Sequence, residues 1–253
     1  MWNIHTYDEL PSTQSHARAE LERGVATHGD VIQSLHQTAG RGRYENRRWH
    51  DRPGENLLMS IVLTDVTPQI VEKMQFLAGI SLLRALRLII SRSDSTFKSD
   101  RVRLKWINDI LIDERKISGV LSDALWSGSS LRGVIIGIGV NVNQSAFENG
   151  LEDRATSLKA ITGLDHSLDE VRSIILAAFG NALDEYRSLK SLMFDVAHEL
   201  EWMRTIRGFD LLAPDGTAEN GLTYLGITDD GLLWVRNDMG VIRAYDNATL
   251  RIL

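Results

Sequence analysis

Beyond Arg207 the chain changes character. FDLLAP, LTYLGI, LLWVRN, VIRAY and ATLRIL are five short apolar runs, parted by DG, NG, DDG and MG turn signals. Five strands in about 45 residues read as a small β-barrel. A boundary is therefore expected near residue 207, with one unit over 1–206 and a second over 207–253.

The first unit mixes strands and helices. WNIHTYDEL, DVIQSLHQT and NLLMSIVL read as strands, and RGVIIGIGVNVN as an apolar strand interrupted by glycine. QSHARAELERG reads as a helix stopped by Gly24. Thr67 and Pro68 look like the cap and first turn of one long helix reaching about Arg92, with Ile70, Met74, Leu77, Ile80, Leu83 and Leu86 as its core stripe. VRLKW precedes a hairpin whose arms, ILI and KISGVLSDALW, flank the turn DERK. Leu168–Leu189 and Leu192–Ile206 read as two further helices, and strand 132–142 as a candidate paired edge between subunits.

Composition limits what this fold does. The 253 residues are 43% hydrophobic and 25% charged, enough for a sizeable core in a soluble protein. The net charge of -6 argues against bulk nucleic-acid binding. No cysteine is present, which removes disulfides, thiol nucleophiles and thiolate metal sites. The N-terminus lacks the basic start and apolar run of a signal peptide, and Arg84 and Arg87 interrupt the longest apolar region. A cytoplasmic protein without a membrane span is expected.

Against that acidic balance, QTAGRGRYENRRWHDRPGEN collects Arg41, Arg43, Arg47, Arg48 and Arg52 in one segment without hydrophobic period. A solvated charged loop is the ordinary explanation. Glycines alternating with arginine, and Trp49 in the same loop, favour a phosphate-bearing small molecule held by backbone N–H groups and guanidinium forks. Lys105 ends a strand, where it either faces solvent or holds a phosphate; Asp109 suits either an Asx turn or a Mg²⁺. Lys116 brings a charge close to the bare backbone of Gly119. Gly137-Ile138-Gly139 reads better as glycines that admit a ligand or helix to a strand than as a dinucleotide fingerprint. No P-loop, HExxH or GxSxG spacing occurs.

Taken together, PSTQ (Pro11–Gln14), QTAGRGR (Gln37–Arg43) with Trp49, KWIND (Lys105–Asp109) with KISG (Lys116–Gly119), and GIGVNVN (Gly137–Asn143) resemble the biotin protein ligase family. ATSL at Ala155–Leu158 and the terminal barrel also fit. The resemblance implies an α+β fold: a mixed β-sheet catalytic domain with helices on one face, then an SH3-like barrel. It implies a two-step reaction. The biotin carboxylate attacks the α-phosphate of MgATP, giving biotinyl-5′-AMP and pyrophosphate. A lysine on the biotin carrier domain of a carboxylase then displaces AMP.

Under the resemblance, Lys105, Arg41 and Arg43 are the expected catalytic cations. Ser12, Thr13, Gln14, Gln37, Gly42 and Gly119 are expected around biotin. Arg41, Arg43, Trp49, Lys105, Asn108, Lys116 and Asn141 are expected around ATP and the adenylate, with Asp109 at the Mg²⁺ end. Three departures stand out: Gln14 for the family's Asn, Ile107 for its Pro, and Tyr44–Arg48 where a second glycine belongs. Arg47, Arg48 and Arg52 are expected to be solvated beside Glu45, Asp51 and Glu55. A non-catalytic biotin or adenylate sensor and a lipoate-type ligase of the same fold are the alternatives. A monomer or homodimer fits equally. The STN-like turn at Ser12 leaves no room before it for the DNA-binding helices that some family members carry, so no operator binding is expected. A gel shift with biotinyl-adenylate and operator-like DNA tests this; a specific shifted band would contradict it.

Overall fold

The computed structural model describes residues 1–43, 48–148, 150–185, 189–206, 208–212, 217–246 and 249–252. The strands of the main sheet are β1 (Asn3–Tyr7), β2 (Asp30–Ser34), β3 (Asn56–Leu63), β4 (Val102–Lys105), β5 (Asp109–Ile112), β6 (Arg115–Ser127) and β7 (Ser130–Asn141). Their spatial order is β1-β2-β3-β7-β6-β5-β4. β1 and β2 run parallel and the remaining neighbours antiparallel, so the sheet is mixed. β7 pairs along its length with both β3 and β6, so it lies inside the sheet and is no edge. The edges are β1 and β4.

The helices are α1 (Thr13–Glu22), α2 (Pro68–Val71), α3 (Met74–Ser93), α4 (Leu158–Thr162), α5 (Leu168–Glu185) and α6 (Leu189–Leu200). α3 packs on one face of the sheet, burying Leu77, Ile80, Leu83 and Leu86 with Leu57, Met59, Ile61, Ile136 and Ile138. α5 and α6 join the same core through Ile175, Phe179, Leu192 and Val196. The Arg87 fork on Glu199, at 2.7 and 2.8 Å, ties α3 to α6. α3 is long and apolar enough to cross a membrane, but it is the central helix of this core.

The single long helix expected from Thr67 is two helices. Thr67 makes no side-chain cap, and the chain breaks between α2 and α3 at Lys73. Lys73 is buried there, and its Nζ donates to the Asp229 carbonyl at 2.9 Å. A helical stripe in sequence does not record that tertiary hydrogen bond.

α1 lies on the opposite face, where Ala17 and Leu21 pack with Ile32, Val62, Leu125 and Ile135. Ser12 caps it by accepting from the Ser15 N–H. Being only 10 residues long, it covers part of that face and leaves the rest open. The C-terminal sheet holds β8 (Phe209–Leu212), β9 (Ala218–Ile227), β10 (Leu233–Arg236), β11 (Ile242–Tyr245) and β12 (Thr249–Ile252). It is antiparallel, in the order β11-β10-β9-β8-β12. All five strands were legible as apolar runs between turns.

Edge strand β1 is held through Asp30. The Asp30 carboxylate accepts from Thr27 N at 2.7 Å, Thr27 Oγ1 at 3.1 Å and Asn3 Nδ2 at 3.2 Å, with His5 Nε2 at 3.3 Å. Burial pushes the Asp30 carboxyl up, but these hydrogen bonds outweigh it and hold it below the ordinary carboxylate value. Its ionised form therefore stabilises the fold above the unfolded value near 3.8, and that contribution disappears as pH falls through the lower folded value. Asp30→Asn should cost about 1.5 kcal/mol at pH 7 in urea unfolding. The two unfolding free energies should approach each other as pH falls from the ordinary value of 3.8 through the lower folded value, and a gap unchanged across that fall would refute the assignment.

Candidate functional site

The open part of the α1 face is a pocket with about 510 Å³ of empty space. Its floor comes from strand alternation. In β7, Val134, Ile136, Ile138 and Val140 belong to the helical core, while the alternate positions include Gly133, Gly137 and Gly139. The glycines are needed for close approach. A Cβ on Gly137 would lie 2.6 Å from Gln14 Oε1, and one on Gly139 would lie 2.8 Å from the Trp49 indole. The reading of this motif as glycines that admit a helix or ligand thus describes what Gln14 of α1 and Trp49 do here.

One end of the pocket is a buried polar cluster. Gln37 Oε1 accepts from Thr13 N at 2.7 Å and Thr13 Oγ1 at 3.2 Å. Ser60 Oγ lies 2.9 Å from Thr13 Oγ1 and 3.0 Å from Gln14 Oε1. Gln14 is 3% exposed, and its amide donates to Asp123 Oδ2 and the Ile135 carbonyl, both at 3.1 Å. The methylene by which Gln14 exceeds the expected Asn thus belongs to a side chain engaged with protein atoms at both ends. Ser12, likewise at the pocket, uses its hydroxyl as the α1 cap.

The other end is cationic, and Lys116 is its centre. The register of β5 on β6 shifts between Ile110 and Leu111: Ser118 faces Ile110 and Lys116 faces Leu111, leaving Ile117 as the extra residue of a bulge. The bulge lets Lys116 share a face with Gly119, three residues on, where regular alternation would oppose them. Lys116 Nζ stands 2.6 Å from Asp109 Oδ1 and 5.4 Å from the Trp49 ring centroid. It lies directly over Gly119, where a Cβ would come within 2.9 Å of the ammonium nitrogen. A carboxylate on one side and an aromatic face on the other leave this cation aimed into the pocket.

Arg41, Gly42 and Arg43 line the same space, and Trp49 N donates to the Gly40 carbonyl at 3.0 Å. Arg41 and Arg48 pair as an antiparallel bridge, which brings the two ends of the loop together. Arg41 Nη1 lies 3.8 Å from Asp123 Oδ2, with the arginine side chain 48% exposed, so an anionic ligand displaces this contact at little cost. Trp49, expected around ATP and the adenylate, is packed against Gly139 on the floor, and its Nε1 is buried without a partner among the described residues. The unusual Tyr44–Arg47 stretch and Glu45 lie outside the described residues. Arg52 pairs with Glu148 at 2.6 Å, and Asp51 with His36 at 2.9 Å, so neither makes the local pairing expected from sequence.

Three expected residues do not line the pocket. Lys105 ends β4 beside it, opposite Asp109, while Lys116, expected at the same end, is in the lining. Asn141 donates to the Thr156 carbonyl at 3.0 Å and the Lys116 carbonyl at 3.5 Å, which buttresses the Lys116 backbone. Asp109 is the ion-pair partner of Lys116, and no group of three or more potential metal-ligating side chains occurs among the described residues. Asn108 does line the pocket. The sequence reading missed Leu58, Met59, Val120, Leu121 and Ile138 in the lining, and Asp123 behind it. Only Asp123, a lone acid in an apolar strand, left a trace in the sequence.

The tight seat of Gln14 is testable. In Gly137→Ala the new Cβ must expel the Gln14 carboxamide and strand buried partners at Ser60 and Ile135. A loss of roughly 1–3 kcal/mol in urea unfolding is expected. Wild-type stability would show that the strand yields without breaking the cluster.

The family model described as Biotin/lipoate A/B protein ligase family matches residues 9–141. The bifunctional ligase/repressor BirA of Bacillus subtilis (strain 168) is 33% identical over 245 residues, 94% of this chain and 71% of that protein. The biotin--[acetyl-CoA-carboxylase] ligase of Paracoccus denitrificans is 30% identical over 212 residues, 81% of this chain and 82% of its own. Among solved structures, the biotin protein ligase of Aquifex aeolicus in complex with biotin and ATP aligns with a TM-score of 0.80 at 26% identity, covering 100% of both chains. The family match contains every lining residue of the pocket, and the chain belongs to the biotin/lipoate A/B protein ligase family.

Proposed function

We propose that this chain is an ATP-dependent biotin protein ligase that makes biotinyl-5′-AMP and passes the biotinyl group to a lysine of a biotin carrier domain. The observation that carries the reading is the pocket's polarity: a buried hydroxyl and amide cluster at one end, and Lys116 over Gly119 at the other. A ureido ring needs donors and acceptors packed closely, as at Thr13, Ser60 and Gln37. Leu58, on the same strand face as Ser60, offers apolar surface beside that cluster.

The first step joins two anions, so fixed positive charge lowers its barrier. A carboxylate oxygen of biotin attacks the α-phosphorus, and the bond to the bridging oxygen breaks as pyrophosphate leaves. Lys116 is the cation seated to hold the carboxylate and the α-phosphate oxygens together, with Arg41 and Arg43 closing from the loop. In the second step the carrier amine attacks the acyl carbon and AMP leaves with the bonding pair. Arg41, Gly42, Arg43 and Trp49, which line the pocket, help keep water from the anhydride meanwhile.

Asn108 and Asp109 suit a Mg²⁺ that arrives on ATP. Such an ion keeps several waters and takes one or two protein carboxylates, and it would supply charge neutralisation at the phosphates. The cationic Lys116 beside Asp109 is a competing partner for that carboxylate.

Incubation with biotin, MgATP and an isolated carrier domain should give pyrophosphate and a matching mass gain on the acceptor. Pyrophosphate without mass gain would favour an adenylate sensor, and the absence of both would defeat the ligase reading. Lys116→Ala should slow pyrophosphate release by about 10²–10³-fold. Lys105→Ala should slow it as well, because Lys105 ends β4 opposite Asp109 at the same end of the pocket. Equal turnover of Lys116→Ala and wild type would remove Lys116 from the chemistry.

A further inference from the structure

One turn of the C-terminal sheet is fastened to the frame behind the pocket. The turn Thr228–Leu232 joins β9 to β10 and is closed by Thr228 N to Leu232 O and Gly231 N to Thr228 O, both 2.9 Å. It makes three contacts with the main domain. The Gly231 carbonyl accepts from Trp106 Nε1 at 3.2 Å, and the Asp229 carbonyl accepts from Lys73 Nζ at 2.9 Å. Gly231, at φ +87°, sits against the Phe76 ring so closely that a Cβ would be 2.5 Å from Cε2. Lys73, Phe76 and Trp106 are themselves buried.

Each anchor reaches the pocket wall within two residues. Gln75, beside Phe76, donates to the Val120 carbonyl at 2.9 Å and accepts from Ser122 N at 3.0 Å. Asn108, two residues after Trp106, donates from Nδ2 to the same Val120 carbonyl at 3.0 Å and accepts from Val120 N at 2.8 Å. β5 pairs with β6 only as far as Gly119. Past that point, Gln75 and Asn108 take the hydrogen bonds that a neighbouring strand would supply. Val120 and Leu121 line the pocket, and Gly119 under Lys116 is the preceding residue.

We propose that the Thr228–Leu232 turn is a positioning element of the active site, setting β6 beneath Lys116 through Gly231, Trp106 and the start of α3. The proposal rests on the ligase reading for its kinetic readout only. Its physical content is that the small sheet clamps the adenylation end of the pocket and leaves the Thr13–Gln37–Ser60 end untouched.

Two variants test it in the full chain. Gly231→Ala drives a methyl into Phe76 at a positive φ, and Lys73→Met deletes one hydrogen bond while keeping the apolar stem. The pyrophosphate-release kcat should fall at least tenfold in Gly231→Ala and about threefold in Lys73→Met. Biotin affinity, titrated calorimetrically without ATP, should stay within twofold of wild type. Adding Phe76→Leu to Gly231→Ala should recover most of the lost rate by making room for the methyl. Amide exchange at Val120 and Ser122 should quicken in both single variants, a readout that needs no activity. Unchanged exchange and kcat in folded variants, or parallel loss of biotin affinity and kcat, would overturn the proposal. Wild-type protein that releases no pyrophosphate would defeat the ligase reading, and amide exchange would then decide the positioning claim alone. Should Gly231→Ala fail to fold, Lys73→Met decides by the same measures.

Discussion

β7 places Val134, Ile136, Ile138 and Val140 in the helical core and leaves Gly133, Gly137 and Gly139 at alternate positions on the other side. That inequality governs the rest of the molecule. The large side chains pay the conformational entropy of ordering the sheet by burying area under α3 and α5. The bare positions let α1 and the arginine loop approach the backbone of a central strand, so a pocket forms in contact with rigid β-structure. Side chains seated on a sheet hold their geometry better than the same groups on loops alone.

Charge is then arranged by small local devices. A one-residue bulge at Ile117 brings Lys116 to the face of Gly119, and Gly119 leaves the space that its ammonium fills. Asp109 and Asp123 stand beside Lys116 and Arg41. Both contacts are partly exposed, so an incoming anion competes with them effectively. The same strand beyond Gly119 lacks a β5 partner and depends on Gln75 and Asn108, which makes the placement of α3 and of the Trp106 turn matter to the pocket.

Much of this was legible in the chain. The strands, the change of character after Arg207 and the sites of Thr13, Gln37, Arg41, Arg43, Asn108, Lys116 and Gly119 follow from local pattern, turn chemistry and motif spacing. The failures share a cause. At the break before α3, Lys73 reaches a carbonyl 156 residues away, a contact no local pattern records. The expected edge at β7 ignored that an apolar strand with glycine on alternate positions has partners on both sides.

The amino-acid sequence by itself determined most of the elements, the chemistry available and the family, because periodicity, turn residues and short motifs are local and survive linear reading. Tertiary structure alone decided how Lys116 comes to share a face with Gly119, how Gln14 uses its amide, and where the C-terminal sheet grips the main domain. Those outcomes depend on register, on the volume a missing Cβ leaves open, and on hydrogen bonds between residues distant in sequence, none of which a local pattern contains.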